Sequence, residues 1–320
     1  MKAAVYYATG TPDVLKYEEI ADPVCHPQGI LIAVEAVSIE GGDLLNRAGG
    51  ALAKQPHVVG YQAAGTIIEV GSEVEDRKVG QRVVTSGADG SHAAIRAVAA
   101  RSSWLLPDSL SIEEGACIPI PFGTADDCLF EFGRLQAGET VLIQGGAGGV
   151  GLAAIQLAKR AGATVISTAS SQTKLDFLTT VGVDHCINYV ESDLLAEVKR
   201  ITDNKGVNLV VDPIGGEVLQ NSIRAMGYRG RVTTVGNAGR EVMKFDLSGL
   251  MGMNQYIQGV FLGAEIGTDR VYNMIQSHIE AVANGELKVF IDKQFALSDA
   301  AAAHAHIESR QAMGRVLLIP

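Results

Sequence analysis

The glycines of Gln144-Gly145-Gly146-Ala147-Gly148-Gly149-Val150-Gly151 carry the spacing in this chain with the clearest chemical use, Gly146-x-Gly148-x-x-Gly151. A turn of that spacing between a strand and a helix cradles a pyrophosphate. The first glycine permits the tight turn, the second lets backbone approach phosphate, and the third lets the helix pack close to the strand. The new helix adds unpaired N–H groups and the positive end of its dipole. Here the apolar run 140–143 precedes the glycines and a helical run, 152–159, follows them. Gly146, Ala147, Gly148, Gly149, Val150 and Gly151 are therefore candidate dinucleotide contacts; the competing reading is a merely flexible glycine turn.

The choice of dinucleotide turns on the segment 20 to 24 positions beyond the first glycine, where NAD-selective sheets place an acidic residue on the ribose 2′-hydroxyl. Ile166-Ser167-Thr168-Ala169-Ser170-Ser171-Gln172-Thr173-Lys174 contains no carboxylate. It offers hydroxyls at Ser170 and Ser171 and a cation at Lys174, which suit a 2′-phosphate and favour NADPH. The plainer reading of Lys174 is a solvated helix residue.

These residues need a scaffold, and the rhythm of the chain supplies one. From about 138 onwards strand candidates at 141–144, 164–168, 186–188, 208–212, 231–236 and 257–262 alternate with helices at 150–160, 173–180, 193–202 and 216–226. The run 207–212 is nearly all apolar, as expected of a strand covered on both faces. Right-handed crossovers then predict a doubly wound parallel sheet of about six strands with its ligand crevice at the strand carboxyl ends. Residues up to about 118 read as short strands at 2–8, 30–37, 64–71 and 80–84, punctuated by glycine and proline, which predicts a β-rich, barrel-like unit. A helical link starts near 112–116, and Pro119 and Pro121 lie at the crossover. The tail predicts a helix near 270–284, a helix start in the alanine run after Asp299, and a final strand, 314–319, that rejoins the first unit.

Composition bounds the function. The 320 residues suffice for two domains, and 47% hydrophobic with 19% charged residues is ordinary for a globular enzyme. The formal charge of −10 argues against a nucleic-acid partner and an anionic membrane surface. Cys25, Cys117, Cys128 and Cys186 lack CxxC pairing, so neither a disulfide framework nor a zinc ribbon is expected. Without a signal-peptide core or a bilayer-length apolar span, the chain is expected in the cytoplasm.

With these pieces placed, the chain resembles the medium-chain dehydrogenase/reductase superfamily, in its zinc-free quinone oxidoreductase (zeta-crystallin-like) branch. The landmarks are Val59-Gly60-Tyr61-Gln62-Ala63-Ala64-Gly65, Val79-Gly80-Gln81-Arg82-Val83, the glycine turn, Ile187-Asn188-Tyr189, Val235-Gly236-Asn237 and Glu308-Ser309-Arg310. The resemblance implies an α/β chain with a GroES-like β-rich catalytic domain (1–118) interrupted by an NADPH-binding Rossmann domain (119–263) and resumed at 264–320. It implies Thr124, Gly236 and Asn237 near the nicotinamide end, in a cleft between the domains. Gly148, Gly149 and Val150 would line the pyrophosphate, with Ser170, Lys174, Tyr189 and Arg310 about the adenosine 2′-phosphate. An aromatic packed at a strand end is the alternative for Tyr189. The family also implies a homodimer joined through the strand near 257–262.

The departures from the family matter equally. Zinc relatives carry histidine and glutamate after the glycine corresponding to Gly60, and a cysteine near Ile39; here Tyr61 and Gln62 follow Gly60. His57, His92 and His185 stand isolated in sequence and read as surface or core residues. No metal ligand set is expected. Glu40 occupies the place where the branch usually has asparagine, in Ser38-Ile39-Glu40-Gly41-Gly42. It reads as a proton donor with a raised pKa, a recogniser of a cationic or hydroxyl-bearing substrate, or a cap bonding to the Gly41-Gly42 N–H groups. Asp126 and Asp127 add carboxylates just after Thr124. Glu40, Tyr61 and Thr124 are the catalytic candidates. The expected function is zinc-independent, NADPH-dependent hydride transfer to a quinone or α,β-unsaturated carbonyl acceptor. The alternatives are an NADPH-binding protein with little turnover (structural, sensing or RNA-binding), or a zinc-free alcohol dehydrogenase or enoyl reductase.

Overall fold

The computed structural model describes residues 1–52, 54–242 and 244–320. The chain forms two units, residues 1–120 with 263–320 and residues 121–262. The first contains strands β1 (Lys2–Tyr6), β2 (Lys16–Glu19), β3 (Gly29–Ser38), β4 (His57–Val58), β5 (Gln62–Val70), β6 (Arg82–Ser86), β7 (Ile95–Ala99) and β8 (Ser103–Leu105), with helices α1 (Gly41–Ala48) and α2 (Ile112–Ala116). Helix α3 (Pro119–Asp126) carries the boundary; Pro119 and Pro121 sit in its first turn, where no intrahelical N–H is needed.

The second unit alternates β9 (Thr140–Ile143), α4 (Gly149–Arg160), β10 (Thr164–Ala169), α5 (Gln172–Val181), β11 (His185–Asn188), α6 (Leu194–Ile201), β12 (Val207–Asp212), α7 (Gly216–Ala225), β13 (Met226–Thr234), α8 (Ser248–Gly252) and β14 (Tyr256–Gly259). All its ladders are parallel, in the order β11-β10-β9-β12-β13-β14. That is the doubly wound arrangement anticipated from the alternation. Its order reverses between β9 and β12, which fixes a switch-point crevice at their carboxyl ends. Leu142, Ile166, Ile187, Val210 and Val232 fill its core against Leu219 and Ile223 of α7. Arg231 on β13 is held by the Glu139 carboxylate and by the Gly133 and Arg134 carbonyls.

The returning segment adds α9 (Asp269–Ala283), β15 (Ile291–Ala296), α10 (Ala300–Glu308) and β16 (Arg315–Ile319) to the first unit. Here β3 is the spine. It pairs antiparallel with β5, β7 and β16 in a seven-stranded sheet, β15-β16-β3-β5-β6-β8, while β2-β1-β4 form a second sheet. Ile30, Ile32, Val37, Ile67, Val83, Val316 and Leu318 form the core. Trp104 is sealed inside, stacked on Tyr272 and donating its indole N–H to the Tyr272 carbonyl at 3.0 Å.

Several strands escaped the pattern. β2, β4, β7, β8 and β15 are short or lack clean alternation, so only their pairing defines them. β13 begins at Met226, five residues before expectation, because its glycine-rich start reads locally as turn. β14 stops at Gly259, and residues 262–264 form a 3₁₀ turn instead.

Candidate active site

In the first unit, register assembles a polar cluster at the end of β3. The β3–β16 ladder pairs Leu317 with Ser38 and Leu318 with Val37, which carries Arg315 opposite Glu40. On the other side β5 sets Gln62 opposite Ser38. Glu40 therefore emerges between an arginine and an amide, and is only 4% exposed. The Arg315 guanidinium donates to Glu40 Oε1, to Ser38 Oγ at 2.7 and 3.0 Å, and to the Ile39 carbonyl at 2.6 Å. Gln62 Nε2 also donates to Glu40 Oε1, while Gln62 Oε1 accepts from Ile120 N at 3.0 Å. Both of these side-chain bonds end on Oε1. Burial pushes the Glu40 carboxyl up to about 8; Arg315 pulls it down and Asp43 adds to the rise. A neutral acid with its proton on Oε2 fits this pattern, since Oε1 then accepts from both donors.

Glu40 does stand at the N-cap of α1, in a capping box with Asp43, but its carboxyl is committed elsewhere than expected. It bonds to Arg315 and Gln62, not to the Gly41-Gly42 N–H groups. Asp43, three residues on, reaches back to accept from Glu40 N at 2.8 Å, and from Tyr61 N at 3.1 Å. Burial raises the Asp43 carboxyl to about 7, against those two N–H bonds and the nearby arginines. Tyr61 is thus clamped: Asp43 holds its N–H, while buried Arg96 and Gly87 N donate to its carbonyl at 3.0 and 2.8 Å. Asn46 Nδ2 donates to the Tyr61 hydroxyl at 3.0 Å, and burial raises that hydroxyl's pKa. Glu40 and Tyr61 share Asp43. Arg315, Asp43 and Arg96 escaped the sequence reading; an arginine in an otherwise apolar last strand was the available signal.

His92 is not isolated. Its Nε2 lies 3.0 Å from Nε2 of His304 on α10, and both rings are buried. Burial lowers His92 to about 3 and His304 well below its ordinary value, so the pair is neutral. Among the described residues no three His, Cys, Asp or Glu side chains gather as a metal group.

In the second unit the glycine turn lies at the carboxyl end of β9. Gly145 takes φ +62, a conformation that glycine adopts without strain, and Gly146 N donates to the Thr168 carbonyl at 3.1 Å. A Cβ on Gly151 would lie 2.5 Å from the Gly145 carbonyl oxygen, so only glycine permits this helix–turn approach. Gly148 is the N-cap of α4 and supplies no side-chain acceptor to the first-turn N–H groups of Gly149, Val150 and Gly151. Next along the edge, Ser171 caps α5 by accepting from Lys174 N at 3.5 Å, so its hydroxyl serves the helix. Ser170 and Lys174 flank that cap, and Tyr189 follows β11 and is 46% exposed. Gly236 and Asn237 follow β13. Asn237 Nδ2 donates to the Glu241 carbonyl at 2.9 Å, whereas its buried Oδ1 has no partner among the described residues. Thr124 is buried on α3 in this unit, and Arg310 closes α10 in the first unit at φ +59.

Residues 26–108 match the alcohol dehydrogenase GroES-like domain family, and residues 149–292 match the zinc-binding dehydrogenase family. The quinone oxidoreductase of Sus scrofa is 30% identical over 325 residues, covering 100% of this chain and 98% of that protein. The synaptic vesicle membrane protein VAT-1 homolog of Rattus norvegicus is 31% identical over 318 residues, 93% of this chain and 78% of that protein. The Escherichia coli quinone oxidoreductase complexed with NADPH superimposes with a TM-score of 0.95 at 29% identity, with each chain covered in full.

Proposed function

Starting from a chain that belongs to the medium-chain dehydrogenase/reductase superfamily, in its quinone oxidoreductase branch, we propose a zinc-independent, NADPH-dependent reductase of quinones or α,β-unsaturated carbonyls. The observation that carries the zinc-free reading is the Arg315–Glu40–Gln62 cluster. A fixed guanidinium charge on Glu40 Oε1 opposes a divalent cation there, and Tyr61 and Gln62 offer neither imidazole nor thiolate. Acceptors that spread charge over a conjugated system suit a site without a Lewis acid.

The residues fit NADPH. Gly148 leaves open space at the turn, since an added Cβ there would meet only the Gly145 carbonyl oxygen at 3.4 Å, and the α4 N–H groups face where a pyrophosphate would lie. Ser170 and Lys174 at the start of α5, with no carboxylate between 166 and 174, suit a 2′-phosphate; the exposed Tyr189 ring suits the adenine side. Asn237 Oδ1 is an acceptor for a carboxamide N–H. Bound there, NADPH supplies the hydride. Glu40, protonated at neutral pH, supplies the proton that a reduced acceptor takes up, and Arg315 and Gln62 stabilise the carboxylate left behind.

Among the described residues β14 ends the six-stranded sheet as an unpaired edge; Tyr256 lies on it, and Met251 (83% exposed) and Phe261 (69% exposed) precede and follow it in the chain. An edge of this kind supports a homodimer that continues the sheet. The free cysteines support a reducing, cytoplasmic location.

Steady-state NADPH oxidation over ortho-quinones, para-quinones and enones tests the activity; turnover is expected. Tight NADPH binding with no turnover on any acceptor would favour a binding role instead. Lys174→Glu is expected to weaken NADPH far more than NADH, and equal effects on both would reject the 2′-phosphate assignment. Gly259→Pro, which removes an outward-facing N–H of β14 because Val260 N turns inward to the Thr234 carbonyl, should convert a dimer to monomer in sedimentation velocity.

A further inference from the structure

Beneath the glycine turn runs a chain of buried side chains that the hydride chemistry does not use. The sheet registers pair Ile143 with Ser167 and with Val211, so the next residue on each strand, Gln144, Thr168 and Asp212, forms one row across β10, β9 and β12. Ser222 of α7 lies over that row. All four are at most 3% exposed. Gly145 N–H donates to Thr168 Oγ1 at 3.2 Å, Thr168 Oγ1 to Gln144 Oε1 at 2.8 Å, Gln144 Nε2 to Ser222 Oγ at 3.1 Å, and Ser222 Oγ to Asp212 Oδ2 at 2.7 Å. Asp212 Oδ1 accepts from Ile214 N and Gly215 N at 2.8 and 2.9 Å.

We propose that Asp212 is the positioning residue of the dinucleotide cradle: its carboxylate sets the donor-to-acceptor direction of the relay Gly145–Thr168–Gln144–Ser222 and pins the facing 213–215 loop. The proposal rests on the dinucleotide reading of the turn. Each hydroxyl has one proton, and the carboxylate takes the one from Ser222. Ser222 then accepts from Gln144, which fixes the amide orientation and turns Oε1 to Thr168. Thr168 gives its proton to that oxygen and keeps its lone pairs for Gly145 N–H. The same carboxylate holds the backbone of 214 and 215, and Ile214 packs on Gly145. Both walls of the switch-point crevice therefore hang on one side chain.

The arrangement makes a specific prediction for Asp212→Asn. In that variant the amide Oδ1 keeps the loop N–H bonds, but the new Nδ2 faces Ser222 as a donor. The Ser222 proton must then go to residue 144, the Gln144 amide turns over, and the Thr168 proton loses its acceptor. Adding Gln144→Glu restores acceptors at both ends of position 144 and should restore the relay. The readouts are Gly145 amide exchange by NMR and the NADPH dissociation constant by fluorescence. D212N should speed the exchange and weaken NADPH by about tenfold each, with kcat at saturating NADPH held. D212N/Q144E should bring the exchange back to within about threefold of the parent.

Unchanged exchange in folded D212N, or a double variant that exchanges as fast as D212N, would overturn the proposal. Should D212N not fold, Thr168→Val cuts the last link without touching Asp212 and must itself speed Gly145 exchange; parent-like exchange there would equally overturn it. A parent protein that binds no NADPH refutes the dinucleotide reading, and the exchange measurement still decides the relay.

Discussion

Glu40→Gln removes the titrating group of the proposed proton donor at nearly constant volume. The amide oxygen of the variant keeps both acceptances, from Arg315 and Gln62, and its nitrogen replaces an oxygen that neither of them contacts. In the parent, burial carries this carboxyl from 4.5 to about 8. Each unit of such displacement is worth about 1.4 kcal/mol. Between those two values the folded protein holds the proton and the unfolded chain releases it, so stability falls as pH rises through the window. The contribution is complete below the unfolded value and lost above the folded one. From about pH 5 to about pH 8 the loss assigned to Glu40 is about 4 kcal/mol. Asp43 titrates with the same sign but is common to both proteins. Urea unfolding across this range should therefore give curves that nearly coincide near pH 5, with E40Q the more stable by about 4 kcal/mol near pH 8. Parallel curves would mean that Arg315 keeps Glu40 ionised throughout, and the proton-donor reasoning would fail. On the true acceptor, E40Q should lower kcat about a hundredfold with NADPH binding unchanged.

Arg315→Met leaves Glu40 buried without its cation and should cost about 3 kcal/mol at pH 8, read as urea midpoint. In an E40Q background the same change should cost less at pH 8, because no carboxylate is then left buried without its cation. Asp43→Ala strands the buried N–H groups of Glu40 and Tyr61 and should cost about 2 kcal/mol, checked by calorimetry at pH 6. Gly151→Ala drives a methyl group against the Gly145 carbonyl and should weaken NADPH by about tenfold or more in a fluorescence titration.

The glycine turn, the βα alternation and the Tyr61-Gln62 pair after Gly60 were legible in the chain because each is local. A turn, a helix face or a buried strand is specified by residues within a few positions of one another, and the Gly146–Gly151 spacing meets its strand and helix between Thr140 and Arg160. The absence of an acid between 166 and 174 is local in the same way. Short strands such as β4 and β8 had no such signature; they exist only because a longer neighbour offers a ladder.

The identity of the buried partners was a different matter. Arg315 meets Glu40 across 275 positions, and His92 meets His304 across 212. Nothing near either residue announces the other, for these meetings follow from strand register and helix packing. One residue of slip between β16 and β3 would turn Arg315 to the opposite face. The same holds for Gln144, Thr168 and Asp212, which read as ordinary strand ends until three parallel strands set them in a row. Sequence alone thus determined that this chain carries a dinucleotide turn and that Tyr61 and Gln62 follow Gly60. Only the tertiary structure decided that the Glu40 carboxyl is a buried acid beside an arginine rather than a partner of the Gly41-Gly42 backbone, because its charge state depends on burial and on partners that folding alone brings within reach.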